Sequence, residues 1–285
     1  MPDQRDTYTH GHHDSVLRSH RRRTVDNSAA YLVPYLRPGL RVLDVGCGPG
    51  TITLDLARRV APGVVVGIDN DLAPLGEARA EARRHGVSNV SFAVADVYKL
   101  DLATVEPSID ATVEPSIDSD DAFDVVHAHQ VLQHLSEPVA ALREMRRVCR
   151  PGGVVAARDV DCAAMAWYPP QAGLDHWLEL YRRVARDNRG EPDAGRRLLA
   201  WARAAGFSEI TCSATTWCFA TPEERAWWGS LWADRVTSSA LAAQAVDRNH
   251  ATRDDLEHIA LAWRRWAEHD DGWFAALHGE VLCFP

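Results

Sequence analysis

Between residues 41 and 160, short runs of aliphatic and β-branched residues alternate with stretches whose apolar residues recur at helical spacing. Residues 41–45, 64–69 (VVVGID), 90–96 (VSFAVAD), 123–129 (FDVVHAH) and 154–160 (VVAARDV) read as strands, and 51–60, 72–86 and 137–153 read as helices. Strands that are apolar along most of their length are buried on both faces. The alternation therefore predicts a parallel sheet covered by helices on each side.

Three glycines crowd the first strand-to-helix junction, Gly46-Cys47-Gly48-Pro49-Gly50. Glycine sacrifices conformational entropy and is tolerated where a backbone turns tightly or comes very close to another group. A glycine turn that follows a strand and opens a helix is the setting of a nucleotide site. The spacing here is G-x-G-x-G, not the dinucleotide G-x-G-x-x-G, and the Gly-Lys-Ser/Thr ending of a P-loop is absent. Asp69 ends the second strand, where a carboxylate can accept both hydroxyls of a ribose. Asp96 ends the third, where a carboxylate can accept the exocyclic amine of an adenine. Both fall at C-terminal strand ends, the side on which open α/β sheets bind ligands.

In order and spacing, VLDVGCGPG, VGIDND, VAD, FDVVHAHQVLQHL and RPGG resemble the successive motifs of class I S-adenosylmethionine-dependent methyltransferases. The nearest branch is the ubiquinone/menaquinone-biosynthesis type of small-molecule methyltransferase. The resemblance covers 40–160 strongly and weakens towards 221. It implies an α/β fold with a Rossmann-like, seven-stranded, mostly parallel sheet and helices on both faces. It also implies S-adenosylmethionine as cofactor, S-adenosylhomocysteine as product, and a small-molecule acceptor methylated on oxygen, nitrogen or carbon. A protein of the same fold that binds the cofactor without methyl transfer, such as a cyclase or an accessory subunit, is the alternative.

Carried over position by position, Gly46, Cys47, Gly48 and Gly50 bring backbone to the methionine part of the cofactor, with Asp44 holding the loop. Asp69 binds the ribose, Asn70 lies beside the adenine, and Asp96 with Val97 holds the base. His129 and Gln130 line the region of the methionine carboxyl and the sulfonium. Gln133 and His134 stand where related enzymes present groups to the methyl, and a histidine there suits a general base. A structural role for His134 at a helix start fits equally. A segment before the first strand folds over the cofactor in similar enzymes, which makes Tyr8 a catalytic candidate and His10 a substrate candidate.

The remainder is read from composition and pattern. A formal charge of −9 argues against a nucleic-acid partner, and the basic run RSHRRR (18–23) reads as a solvated helix face. No uninterrupted apolar stretch reaches the roughly 18 residues of a membrane span. The N-terminus lacks the apolar centre of a secretory signal, and the six cysteines show no C-x-x-C pair, so a cytoplasmic protein with reduced thiols is expected. The histidines of YTHGHH (8–13) find no partner motif that would complete a metal site, and no metal is expected. The octapeptide ATVEPSID occurs twice in tandem at 103–118 and reads as a surface loop. Oligomeric state is not encoded in any visible pattern.

The expected organisation is an N-terminal cap (1–38), the core (39–221) with a lid insertion (161–193), and a helical C-terminal extension (222–285). Within it, 209–221 reads as two short strands joined by a turn. All ten tryptophans follow residue 166, which predicts an aromatic wall suited to a flat or apolar acceptor. Arg158 at the end of the fifth strand either holds an acidic substrate or pairs with Asp159 or Asp161. Trp167 and Trp177 are substrate candidates, although tryptophans at helical spacing also build cores.

Overall fold

The computed structural model describes residues 6–11, 13–100 and 122–285, so the tandem repeat lies outside the described residues. Strand β1 (Arg41–Val45) pairs in parallel with β2 (Val64–Asp69) on one side and β4 (Phe123–His129) on the other. β3 (Val90–Val94) joins β2, and β5 (Cys149–Val160) joins β4, again in parallel. The strand order reverses between β1 and β4, which opens a crevice at their C-terminal ends.

Alternate residues of these strands face opposite cores, as the period of a pleated strand requires. Leu43, Val66, Val126 and Val155 pack with α5 (Pro138–Val148) and α7 (Leu198–Ala204). Val42, Val65, Val125 and Val154 pack with α3 (Thr51–Val60) and with Val25, Ala29 and Leu32 of the N-terminal segment. Helix α4 (Leu72–Arg84) completes the second face through Leu75 and Ala78 against Phe92. Helices on both faces of a mostly parallel sheet are the predicted arrangement.

Two expectations are corrected. The sheet has eight strands, not seven, because the short β6 (Ala166–Tyr168) adds to it. The stretch read as a strand–turn–strand is one continuous strand, β7 (Glu209–Phe219). Its antiparallel partner is β8 (Trp273–Phe284), which lies in the segment expected to be a mostly helical extension. β8 takes β5 and β6 along one edge and β7 along the other, so it is interior to the sheet, and it is apolar along most of its length. Without alternation, such a run looks like a continuation of the preceding apolar helix.

The rest of the second half is helical: α6 (Ala172–Asp187), α8 (Pro222–Ser238), α9 (Ala240–Asp247) and α10 (Arg253–Glu268). Thr221 and Thr252 each form a capping box, with Glu224 and Asp255 respectively, which fixes where α8 and α10 begin. These helices close around buried Trp177, Trp228, Trp232, Trp263 and Trp266. Edge-to-face contacts order the cluster, with ring centroids 4.5 Å apart for Trp177–Trp232 and 4.8 Å for Trp177–Trp263.

The N-terminal segment, with α1 (Asp14–Arg21) and α2 (Val25–Ser28), bridges the sheet and this helical half. Arg235 of α8 donates to Ser15 O at 2.9 Å and Ser19 Oγ at 3.0 Å, and Arg18 pairs with Asp234. Asn188 and Gln244 hold Thr9 from the other side, each at 3.1 Å. The basic run at 18–23 is therefore not merely a solvated face. His20 and Arg23 turn inwards and line a cavity.

Candidate functional site

The crevice at the sheet's reversal point is a cavity of about 530 Å³, within the ordinary range for small-molecule sites. Its floor is the glycine turn after β1. Gly46 and Gly48 adopt φ of 66° and 53°, the left-handed region that side chains disfavour. A Cβ on Gly46 would stand 2.4 Å from the Val131 side chain, so backbone fits there and nothing larger. Asp69 fixes the turn by accepting Gly48 N–H at 2.9 Å, and it also accepts Asp71 N–H at 3.1 Å. Beneath it, Asp44 accepts from Thr53 Oγ1 at 2.6 Å and meets His127 Nδ1 at 2.7 Å, all three side chains being buried.

Of the residues expected to bind the cofactor, Asp44, Gly46, Cys47, Gly48, Asp69, Asn70, Asp96, Val97, His129 and Gln130 all line this cavity. Gly50 does not. It opens α3 in the left-handed conformation, and a Cβ would meet Ala78 at 2.8 Å, so it lets α3 pack closely on α4. Asp96 accepts Tyr98 N–H at 2.9 Å and remains exposed at the cavity's mouth. His129 is buried with both ring nitrogens unpartnered, and burial followed by Arg23 holds it well below the ordinary histidine range. Gln130 is a non-glycine residue at φ 55°, strain of the kind found at functional sites. Its side chain accepts from Arg23 at 2.9 Å and donates to His278 Nε2 at 2.9 Å.

The N-terminal segment roofs the cavity. Tyr8, His10, His20 and Arg23 all line it, as does His134. Tyr8 packs edge-on against His134, with centroids 4.8 Å apart, and its hydroxyl lies 3.3 Å from His20 Nε2. The Gln133 amide donates to His134 Nε2 at 3.0 Å. Burial, then Arg23, brings the His134 pKa down to about 3. With its lone pair engaged and its basicity suppressed, His134 is a poor proton acceptor at neutral pH.

A second cavity of about 500 Å³ adjoins the first. His10, Arg23, Gln130 and Arg235 line both, so the two meet at these four side chains. Gln133, Arg158 and Trp177 line the second, whereas Trp167 does not. The Trp167 ring stacks on Phe274 at 6.0 Å and belongs to the aromatic core. Arg158 pairs with neither predicted aspartate. Its partner is Glu280 of β8 at 3.1 Å, while Asp159 accepts Gln133 N–H and Asp161 is held by Arg196. Arg23, Arg235, Trp217, His278 and Glu280 also line this cavity; the sequence reading counted Trp217 only in the aromatic wall and Arg23 only in the basic run, and gave the other three no role. A histidine and a glutamate two residues apart, His278 and Glu280, between apolar stretches were the available signal for this pair.

Residues 36–209 match the family model described as a methyltransferase domain. A chain from Schizosaccharomyces pombe named as a methyltransferase is 34% identical over 284 residues, covering 96% of this chain and 95% of that one. A chain from Aspergillus luteorubrus, named as the methyltransferase ltbC, is 29% identical, with 99% and 98% covered. Among solved structures, the cyclase SpnF superposes with a TM-score of 0.51 at 26% identity, covering 93% of this chain and 83% of its own.

Proposed function

This chain belongs to the S-adenosylmethionine-dependent methyltransferase family, and from that premise we propose that it methylates a small-molecule acceptor held in the second cavity, leaving S-adenosylhomocysteine in the first. The observation that carries this reading is the meeting of the two cavities at His10, Arg23, Gln130 and Arg235. The first cavity fits the cofactor. Its floor admits only backbone at Gly46, carboxylates stand at the ends of β2 and β3, and the unpartnered nitrogens of His129 face a polar ligand.

When bound, S-adenosylmethionine supplies a methyl group already activated on a sulfonium. What this chain contributes is placement and exclusion of water. Asp69 and Asn70 hold the ribose end, Asp96 and Val97 the base, and the glycine turn with His129 and Gln130 the amino-acid end. Tyr8, His10 and His20 cover the junction from the N-terminal side. A strong general base is missing from the described residues at the junction. Burial holds His10, like His134, well below the ordinary histidine range. The guanidinium groups of Arg23 and Arg235 instead favour an acceptor that arrives as, or readily becomes, an anion.

The test is release of S-adenosylhomocysteine, followed by mass spectrometry, from the protein with a panel of small aromatic acceptors, with Asp69→Ala as control. Turnover with at least one acceptor, lost in the variant, is expected. Tight cofactor binding with no product across the panel would favour a non-transferring role, a reading to which the likeness to a cyclase gives weight.

A further inference from the structure

Taking the second cavity as the acceptor site, we infer that the acceptor is an aromatic oxyanion, its charged oxygens held between Arg158 and Arg23 and its ring laid against the tryptophan wall. The argument begins with unpaired groups. Among the described residues lining this cavity, six buried donor atoms have no partner: Arg23 Nε, Arg158 Nη1, Arg235 Nε and the indole nitrogens of Trp177, Trp228 and Trp232. Only one atom there that can solely accept, Gln133 Oε1, is in the same state. A buried donor left unpaired costs about 1–3 kcal/mol. A ligand rich in acceptors relieves that cost, and one rich in donors does not.

Charge points the same way. Arg158 is 1% exposed and shares Glu280, whose carboxylate also takes Thr215 and Ser213. Arg23 and Arg235 make no ion pair with a carboxylate among the described residues. Of the other acids lining the cavity, Asp26 pairs with Arg59 and Glu224 caps α8. Burial brings Arg23, Arg158 and Arg235 down to about 10, so all three stay charged at neutral pH. Arg22 also lines the cavity, over the Trp227 ring at 4.3 Å.

Geometry gathers these charges. The Trp217 ring has the Arg158 guanidinium 5.0 Å and the Arg23 guanidinium 5.8 Å from its centre, with His278 at 4.4 Å. An aromatic wall alone would equally suit a quaternary ammonium. Three guanidinium groups, of which among the described residues only Arg158 is paired, with Glu280, repel such a cation and attract an anion.

The test compares isosteric probes by calorimetry on protein saturated with S-adenosylhomocysteine. 2-Naphthoate is expected to bind about tenfold or more tightly than 2-naphthamide, the advantage of a charge-assisted hydrogen bond over a neutral one. Arg158→Gln is expected to shrink that advantage to about threefold or less, with affinity for S-adenosylhomocysteine retained. Because Arg158→Gln leaves Glu280 unpaired, the double variant Arg158→Gln/Glu280→Gln serves if the single one does not fold. The wild-type comparison stands without either. Equal binding of amide and acid, tighter binding of 2-naphthylmethylammonium, or no millimolar binding of naphthoate would each overturn the inference. Failure of S-adenosylhomocysteine itself to bind would instead sink the reading of the first cavity.

Discussion

The donor cavity takes its shape from backbone at the ends of adjacent strands, whereas the acceptor cavity takes its shape from side chains delivered by α1, α6, α8, β5, β7 and β8. In the first, Gly46, Gly48, Asp69 and Asn70 lie within one β–α–β unit, and one hydrogen bond from Gly48 to Asp69 ties the unit together. In the second, Arg158 meets Glu280, Trp217 donates to Asn27 O at 2.7 Å, and Arg235 reaches Ser15 and Ser19. Local geometry sets one site and tertiary packing sets the other. The two should therefore respond to different perturbations.

The largest separation is expected from Trp263→Ala. This ring is fully buried between Trp177, Trp232 and Trp266, and its loss should cost about 3–5 kcal/mol in urea unfolding. Affinity for S-adenosylhomocysteine in the protein that remains folded should change by about threefold or less, because Trp263 does not line the donor cavity. A parallel collapse of affinity would show that the halves are not separable.

The converse is Gly46→Val. A Cβ there collides with Val131, and a β-branched residue is strained at φ 66°. Binding of S-adenosylhomocysteine should weaken by about 100-fold, while the melting temperature moves by a few degrees at most. Retained affinity would mean that the turn can reshape, and that backbone does not define the donor side.

The smallest effect blurs the comparison, because it touches both cavities. Burial is the first cause that holds His10, His20, His129, His134 and His278 below the ordinary histidine range. The unfolded chain protonates these rings near pH 6.5 and the native fold does not. Their contribution to stability is thus complete above that pH and declines as pH falls towards the native values. For His134, whose native value is about 3, the loss at pH 5 should be about 1–2 kcal/mol. Thermal melts at neutral pH and near pH 5 should show the net of two opposed effects. Burial raises the Asp159 carboxyl to about 7, so it gains a proton in the fold over this window and offsets part of the loss. The five rings together leave destabilisation as the expected sign. A flat profile would mean that these rings meet water without unfolding.

Much of the donor side was legible because its signals are short-range. Glycines at a strand end, an aspartate closing the next strand and apolar runs of strand length each carry their own meaning. Gly50 shows that the same freedom of φ also serves close packing against Ala78, a use that the motif alone does not distinguish from ligand approach. The acceptor side was legible only as composition. The tryptophans could be counted, but which one lines the cavity and which stacks on Phe274 depends on helices distant in the chain. Arg158 was placed correctly at the end of β5 and given the wrong partners, since nearby aspartates drew attention from Glu280 on β8. β8 itself was lost to continuity, an interior strand whose single polar pair, His278 and Glu280, follows five apolar residues and an apolar helix.

That strand has a further consequence. β8 is the last element of the sheet in the order of synthesis, yet it fills the slot between β5 and β7. Until it arrives, three strands, β5, β6 and β7, keep raw edges, and Arg158 waits without its counter-charge. The glycine-turn half can assemble from contacts close in sequence. The half that chooses the acceptor depends on contacts among the longest in the chain, which are slow to form and open to mispairing. During biogenesis, the protein would thus pass through a stage able to hold its methyl donor before it has anything to discriminate with.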